Sequence, residues 1–144
     1  MKTAKEFLSE AYRIDHRINS KIEQVRSLRD LATKATSTLS DMPRSATPNI
    51  HRMEDIIAKM VDLENEINHD IDTLLETKKR VTAVIKRVKD PEQQTVLEMR
   101  YLCYQPWEAI SDKLAYSSQH TFRIHGAAVS AVAKELLQVE SKCD

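Results

Sequence analysis

The side chains that could hold a metal or catalyse a reaction are scattered along the chain. Cys103 and Cys143 show no zinc-ligand spacing with each other or with the histidines. His69, Asp70 and Asp72 superficially resemble a carboxylate–histidine site, but they lie on one predicted helix with no second ligand pair. Di-metal sites in helical bundles need inward-facing Glu-x-x-His motifs from several helices. With no glycine-rich phosphate loop and no nucleophile beside a base, the sequence predicts no enzyme, no metal and no cofactor.

A basic cluster is a second group of chemically active side chains. Residues 54–76 contain eight acids and one lysine, whereas residues 78–89 contain six bases and no acid: Lys78, Lys79, Arg80, Lys86, Arg87 and Lys89. Acids early and bases late in a helix complement the helix dipole, and a run of charge is usually a solvated face. The alternative is that this cluster contacts a phosphate backbone or an acidic partner.

The segment 107–129, WEAISDKLAYSSQHTFRIHGAAV, contains the only tryptophan and the only glycine of the chain. A helix that begins in its second half has one predicted buried face on a helical wheel, with Phe122 and Val129 at the flanks: Thr121, His125, Ala128, Val132 and Leu136. The opposite face is Gln119, His120, Arg123, Ala127 and Ser130. This pattern predicts a helix that buries the first face and could present the second to the major groove of DNA.

Three residues of this region have a predicted structural role. His125 is expected in the core with a hydrogen bond to the backbone, and Trp107 is expected to pack there with Tyr101. A glycine inside a helix costs about 1 kcal/mol relative to alanine. Gly126 therefore indicates close approach of either a neighbouring helix or a DNA backbone, and we favour helix packing.

The elements that position these residues are predicted to be helices. The chain of 144 residues has one glycine and four prolines, with 41% hydrophobic and 31% charged residues, a composition that favours long amphipathic helices. A net charge of zero gives no general attraction to nucleic acid or to membranes. No apolar run has the length of a signal-peptide core or of a membrane span. We therefore expect a cytoplasmic protein with two free thiols and no membrane contact.

Two long helices are predicted over residues 3–36 and 50–89, with a proline-containing loop at 37–49. The first has an apolar seam that only Lys21 interrupts, and Ile22 beside it can restore the stripe; its two heptad registers are Ala11, Ile18, Val25, Ala32, Leu39 and Phe7, Ile14, Lys21, Leu28, Ala35. The registers of the second are Met53, Met60, Ile67, Leu74, Val81, Val88 and Ile57, Glu64, Ile71, Lys78, Ile85. Such long helices need a packing partner. An antiparallel hairpin, a second copy of the chain, or both could supply it.

Three shorter helices are predicted after residue 89. Asp90 caps the first, which spans about 91–103, and Pro106 begins the second, which ends at Leu114. After the turn at residues 115–117, Ser117 caps a third helix at about 118–139. Short helices joined by such a turn are the pattern of a helix-turn-helix.

Residues 90–137, about a third of the chain, resemble region 4 of bacterial sigma factors. In that region an acidic-Pro start, a "VL.lRY" helix and an "eIA..L" helix precede a Ser-capped recognition helix. The match is carried by LEMRY, by the spacing of WEAI and by the stretch from YS to RIHG. More closely, the segment resembles ArpU-like transcriptional regulators of phages and mobile elements and their relatives of unknown function.

The resemblance implies regulation of transcription through DNA binding, with RNA polymerase as a further contact. It also implies that Arg100 and Glu108 pair between the first two short helices. The implied DNA-facing residues are Ser118, Gln119, His120 and Arg123. This sequence departs from the pattern at Ala115, which stands where sigma factors often have a turn glycine.

Charge bears on this implication. Residues 90–144 hold five bases and eight acids, a net charge of −3, and adding residues 78–89 brings the total to +3. Because DNA affinity rests largely on phosphate neutralisation, we predict that Lys86, Arg87 and Lys89 take part in DNA binding or that a dimer doubles the contacts.

The sequence as a whole predicts an all-α protein. Residues 1–89 are expected to form a long-helix hairpin or coiled coil, residues 90–140 a helix-turn-helix and residues 141–144 a tail. The expected function is a DNA-binding transcriptional regulator that acts as a homodimer on double-stranded DNA. The alternative is a non-enzymatic adaptor whose C-terminal unit binds RNA polymerase or another protein instead of DNA.

Overall fold

The computed structural model describes the backbone of residues 2–41 and 46–143, and the side chains of residues 2–36 and 50–141. Within these ranges every regular element is helical and no strand occurs, which confirms the all-α prediction. The helices are α1 (Ala4–Asp41), α2 (Ala46–Arg87), α3 (Pro91–Leu97), α4 (Trp107–Leu114) and α5 (Ser118–Cys143), and a π-helical segment (Glu98–Leu102) continues α3. None of the described helices combines the length and apolar character needed to span a membrane.

The first long helix ends later in the sequence than predicted, and the second begins earlier. The predicted loop at 37–49 is too long, because α1 continues to Asp41 and α2 begins at Ala46; residues 42–45 of that loop lie outside the described residues. The Ser and Thr residues before Asp41 only weakly disfavour a helix. Pro48 falls in the first turn of α2, where a proline removes no helical hydrogen bond.

The chain divides into two compact units: one contains Met1–Ile14 and Leu74–Asp144, and the other contains Asp15–Thr73. The Asp15–Thr73 unit consists of long stretches of α1 and α2. Its buried apolar side chains include Ile18, Val25 and Leu63. Ion pairs join Arg17 to Asp70 and Lys21 to Glu66. The residue that comes later in α1 thus contacts the residue that comes earlier in α2.

Asp70 is the buried centre of the polar contacts in this unit, with only 4% of its surface exposed. Arg17 donates to both carboxylate oxygens through Nε and Nη2, at 3.2 and 3.1 Å. Lys21 Nζ donates to Oδ2 at 2.7 Å. Chiefly through the Lys21 hydrogen bond, and with help from Arg17, the pKa of Asp70 is held below its ordinary value against the opposing effect of burial.

Two details of the predicted seam are therefore wrong. Lys21 does not need Ile22 to bridge it, since the Lys21 ammonium pairs with Asp70 and Ile22 is exposed. The second register predicted for α2 also omits Asp70, which is buried, whereas its neighbours His69 and Asp72 are exposed.

One of the two heptad registers predicted for α2 is shifted by one residue. The register that begins at Met53 is buried or half-buried throughout. In the other, Ile57 is 51% and Ile71 40% exposed, and among its members only Ile85 is buried. The residues packed inward are instead Ile56, Leu63, Asp70, Thr77 and Val84. Because Asp70 and Thr77 are polar, a search for apolar residues at heptad spacing does not find this register.

The other unit, formed by Met1–Ile14 and Leu74–Asp144, has a core drawn from both ends of the sequence. Leu8 from α1, Ile85 from α2, Leu97 from α3 and Val132 from α5 are almost fully buried in one cluster. Asp90 Oδ1 accepts the backbone N–H of Glu92 at 2.9 Å, which confirms the predicted cap. The burial of these side chains is the main source of stability for the unit.

Asp70→Asn tests the polar centre of the Asp15–Thr73 unit. The substitution should lower the free energy of unfolding at neutral pH by about 1–3 kcal/mol, because Lys21 is left partly buried without its anion. Urea denaturation followed by circular dichroism measures the change. The matched control is Glu66→Gln: Glu66 is an exposed carboxylate 3.8 Å from Lys21, and its loss should cost less than about 0.5 kcal/mol.

The same contact predicts a pH dependence. Because the folded-state pKa of Asp70 is depressed, its contribution is fully present above the ordinary value of 3.8 and is lost as the pH falls through the lower folded value. The stability difference between wild type and Asp70→Asn should therefore shrink in acid. A difference that stays constant down to the acid limit of folding would contradict the assigned ion pair.

Candidate nucleic-acid interface

The turn between α4 and α5 depends on a left-handed residue. Ala115 ends α4 with φ 57° and ψ 39°, and its N–H bonds to the carbonyls of Ser111 and Asp112. The next N–H, from Tyr116, donates to the Ser111 carbonyl at 3.0 Å. Left-handed backbone is uncommon for a residue with a side chain. Ala115 thus adopts the conformation that a glycine would take more easily.

α5 begins with the cap that the sequence predicts. Ser117 Oγ accepts the backbone N–H of His120 at 3.1 Å. One turn into α5, Thr121 is fully buried, and Ser111 of α4 donates to its hydroxyl oxygen at 3.0 Å. The Thr121 hydroxyl in turn donates to the Ser117 carbonyl at 3.0 Å. The hydrogen bond from Ser111 helps to hold α5 against α4, because breaking it would leave the Ser111 hydroxyl without a partner away from water.

The predicted DNA-facing residues of α5 lie together on its first two turns. Ser118, Gln119 and Arg123 are exposed, and Ala127 and Ser130 extend the same exposed face. His120 is half-buried, since its ring packs edge-on against Tyr116 with centroids 4.6 Å apart. The exposed surface at the start of α5 is therefore centred on Gln119 and Arg123.

The buried face of α5 agrees with the helical wheel in part. Thr121, Ala128 and Val132 are fully buried as predicted. Phe122, predicted at the flank of that face, is 50% exposed, and Ile124 is buried although the wheel did not select it. The buried face of α5 is therefore rotated toward Ile124 relative to the predicted face.

The basic residues predicted to assist DNA binding lie at the end of α2. Lys86 and Arg87 occupy its last turn and Lys89 follows it, and all three are exposed. Over the described ranges, none of them forms an ion pair, and no hydrogen bond or ion pair joins them to Gln119 or Arg123. The Lys86 carbonyl accepts the side-chain N–H of Gln94 from α3 at 3.1 Å. These cations remain free to attract an anionic partner.

Arg100 and His125 have other partners than the predicted ones. Arg100 donates through Nη1 to the Gln105 carbonyl at 3.0 Å and lies over the Trp107 ring at 4.7 Å. Among the described side chains it makes no ion pair with Glu108. His125 Nε2 lies 2.6 Å from the Tyr101 hydroxyl, so its partner is a side chain and not the backbone. The predicted core packing of Tyr101 is confirmed, whereas Trp107 is only half-buried.

The protonation of this cluster follows from burial and charge. Burial lowers the pKa of His125 most, and the positive charges of Lys5 and Arg100 lower it further. Burial also raises the pKa of Tyr101, against the opposing effect of Arg100. Both pKa shifts favour the uncharged forms of Tyr101 and His125.

A link between α3 and the turn has no signal in the sequence. Tyr116 donates its hydroxyl to Glu92 Oε1 at 2.6 Å, across 24 residues of chain. This hydrogen bond raises the pKa of Tyr116. The contact holds the start of α3 against the turn that precedes α5.

Gly126 corrects a prediction about packing. A Cβ added at this position would meet nothing within 4 Å, and the residue is exposed. No neighbouring helix among the described residues explains the glycine, so the favoured explanation is wrong. The other explanation, close approach of a DNA backbone, stays a prediction.

These features define an all-α protein in which α4, a left-handed turn and α5 expose a small polar face. A model of the family DUF1492, described as a protein of unknown function, matches residues 44–133. That match covers more than half of the 144 residues, and the chain belongs to this family. No curated protein and no solved structure shows significant similarity to the chain.

Gly126→Ala tests whether the space beside Gly126 is empty in the folded protein. The substitution should raise the free energy of unfolding by roughly 0.5–1 kcal/mol, because alanine favours the helix and meets no neighbour. The adjacent exposed change Ala127→Gly should lower it by a similar amount. Both are measured by urea denaturation, and a loss of stability in Gly126→Ala would show that an internal contact requires the glycine.

Proposed function

We propose that this protein binds double-stranded DNA and regulates transcription, with α4 and α5 acting as a helix-turn-helix of the phage and mobile-element type that the sequence resembles. The observation that carries the proposal is the exposed start of α5, where Ser118, Gln119 and Arg123 face outward after a capped turn. The first turns of a recognition helix are the part that contacts base edges. Gln and Arg are the side chains best suited to read adenine and guanine.

Gly126 and Ala127 support this orientation. They leave the next turn of the same exposed surface without bulk. A helix that enters a major groove must approach the sugar–phosphate backbone closely, and small residues at its border permit that approach. A solvent-facing glycine with no internal neighbour is consistent with such a surface.

The basic cluster supplies the charge that α5 lacks. Residues 90–144 have a net charge of −3, so Arg123 alone would give weak attraction to phosphates. Lys86, Arg87 and Lys89 are exposed at the end of α2 and are not neutralised by acids among the described residues. We place them on the DNA backbone, in a positioning role and not in base reading.

The long helices are proposed to form an antiparallel hairpin that dimerises. The opposite order of the contacts from Arg17 and Lys21 to α2 supports the hairpin. A second stripe of α2 in the Asp15–Thr73 unit is apolar yet exposed: Ile50, Ile57, Val61 and Ile71. A row of aliphatic side chains at heptad-like spacing is the kind of surface that a coiled-coil partner covers. A second copy of the chain would double the DNA contacts.

The alternative function is a protein adaptor that binds RNA polymerase or another protein. Two observations favour it: the exposed apolar side chains Phe122 and Leu137 on α5, and the negative charge of residues 90–144. In either function we propose a non-enzymatic protein that acts in the cytoplasm.

An electrophoretic mobility shift on the DNA upstream of the protein's own gene separates the two functions. DNA binding should weaken steeply as salt is raised. Arg123→Ala should weaken binding to the preferred site by about 1–3 kcal/mol. The matched control is Lys134→Ala, an exposed base three turns further along α5, which should have little effect. Absence of a shift at low salt would favour the adaptor.

The charge-reversed variant Lys86→Glu, Arg87→Glu, Lys89→Glu tests the basic cluster in the same assay. It should weaken binding to all DNA sequences alike and reduce the steepness of the salt dependence. Unchanged binding by this variant would exclude the cluster from the interface.

The double variant Ile57→Asp, Ile71→Asp tests the dimer. Light scattering should give about twice the subunit mass of 16.6 kDa for wild type and the single mass for the variant, because charge cannot be buried in an apolar seam without a partner. Leu31→Asp, at an exposed leucine of α1, is the control and should remain dimeric. A monomeric wild type would contradict this part of the proposal.

A further inference from the structure

An aromatic cavity of about 340 Å³ lies in the unit formed by Met1–Ile14 and Leu74–Asp144. Its walls include Tyr12, Tyr101, Tyr104 and Trp107, and two cations, Lys5 and Arg100, complete the lining that matters here. We call this cavity the aromatic pocket. Its volume lies in the range of small-molecule sites, about 300–1,000 Å³.

The backbone that shapes the aromatic pocket is irregular. Arg100 and Tyr101 lie in the π-helical segment Glu98–Leu102. This geometry is rare in proteins overall, and where it occurs it is often at a functional site. Tyr104 has φ 57°, a left-handed conformation that a bulky residue rarely adopts. Two unfavourable backbone features in seven residues, both contributing to one cavity, are more typical of a binding site than of ordinary packing.

The aromatic rings of the pocket are already held in place. Tyr12 packs edge-on against Tyr104 with centroids 5.5 Å apart. Trp107 packs against His125 at 4.6 Å, and the Tyr101 hydroxyl is engaged by the same histidine. Lys78 Nζ lies over the Tyr104 ring at 5.0 Å, as Arg100 does over Trp107. A flat ligand would meet rings whose positions are already fixed, which lowers the entropy lost on binding.

The charge of the pocket has one sign. Lys5 and Arg100 are its cations, and no carboxylate lines it in the part of the chain that the structure describes. Lys5 is exposed and makes no ion pair there. Arg100 uses one N–H for the Gln105 carbonyl and keeps other donors. Both cations depress the pKa of His125, so their positive potential reaches the wall of the pocket.

We propose that the aromatic pocket binds a small aromatic anion: a flat ring system that carries a carboxylate or a phosphate. The ring would pack against Trp107 and Tyr104, and the anionic group would be held by Lys5 and Arg100. Charge-assisted hydrogen bonds from two cations select an anion over its neutral analogue. Aromatic walls select a ring over an aliphatic chain.

The test uses the single tryptophan. In the ¹⁵N-labelled full chain, the indole N–H of Trp107 gives one side-chain signal, and its shift reports binding in the absence of DNA. The probes are 2-naphthoate, its neutral analogue 2-naphthamide, and adenosine monophosphate. Naphthoate should give a saturable shift with an affinity about tenfold or more above that of naphthamide. A tighter response to adenosine monophosphate would identify a phosphate ligand, and a tighter response to naphthoate a carboxylate.

Substitutions assign the binding to this pocket. Lys5→Gln and Arg100→Gln should each weaken naphthoate binding by about tenfold. Arg13→Gln, also on α1 but outside the lining, is the control and should bind as wild type does. Because Arg100 packs on Trp107, its variant is checked by thermal unfolding, and Lys5→Gln at an exposed position decides the outcome if the other variant unfolds.

Three results would overturn the proposal. The first is no saturable shift with either naphthoate or adenosine monophosphate. The second is equal affinity for naphthoate and naphthamide. The third is equal loss of affinity in Arg13→Gln and Lys5→Gln. Since no DNA is present, failure here leaves the proposed DNA binding untouched, and failure of the mobility shift leaves the pocket untouched.

Discussion

The hydrogen bond from Ser111 to Thr121 joins α4 to α5 inside the protein, and both candidate surfaces include residues of α5. It is buried, so the Ser111 hydroxyl cannot replace Thr121 with water. With this bond in place and Ala115 left-handed, Gln119 and Arg123 face outward while His125 turns toward Trp107 and Tyr101. The exposed polar face and the aromatic pocket are thus two sides of one positioned helix.

Charge is used differently in the two compact units. In the Asp15–Thr73 unit the buried carboxylate of Asp70 pairs with both Lys21 and Arg17, so the polar interruption of the seam becomes a contact between the two long helices. In the other unit the cations Lys5, Arg100, Lys86 and Arg87 lack acidic partners among the described residues. Unneutralised cations are positioned to meet anions from outside, whether a small ligand or a phosphate backbone.

Secondary structure was largely predictable, because it follows from local chemistry. The scarcity of glycine, the cap at Asp90 and the cap at Ser117 all led to helices that the structure contains. The predictions of burial and of hydrogen-bond partners failed where a side chain contacts a residue that is distant in the sequence. Asp70 and Thr77 are polar yet buried, so an apolar count placed the second register of α2 one residue late, at Ile57 and Ile71. His125 was correctly expected to be hydrogen-bonded, but its partner lies 24 residues away.

The sequence by itself therefore determined the all-α class, the order of the helices and the residues at the start of α5, since periodicity and capping act within a few residues of chain. Only the tertiary structure decided which faces are covered. It left Gly126 without a neighbour, exposed Phe122, and brought Lys5 to the same cavity as Arg100 and Trp107. The physical reason is that burial and electrostatic potential are sums over residues far apart in sequence, and no local pattern contains them.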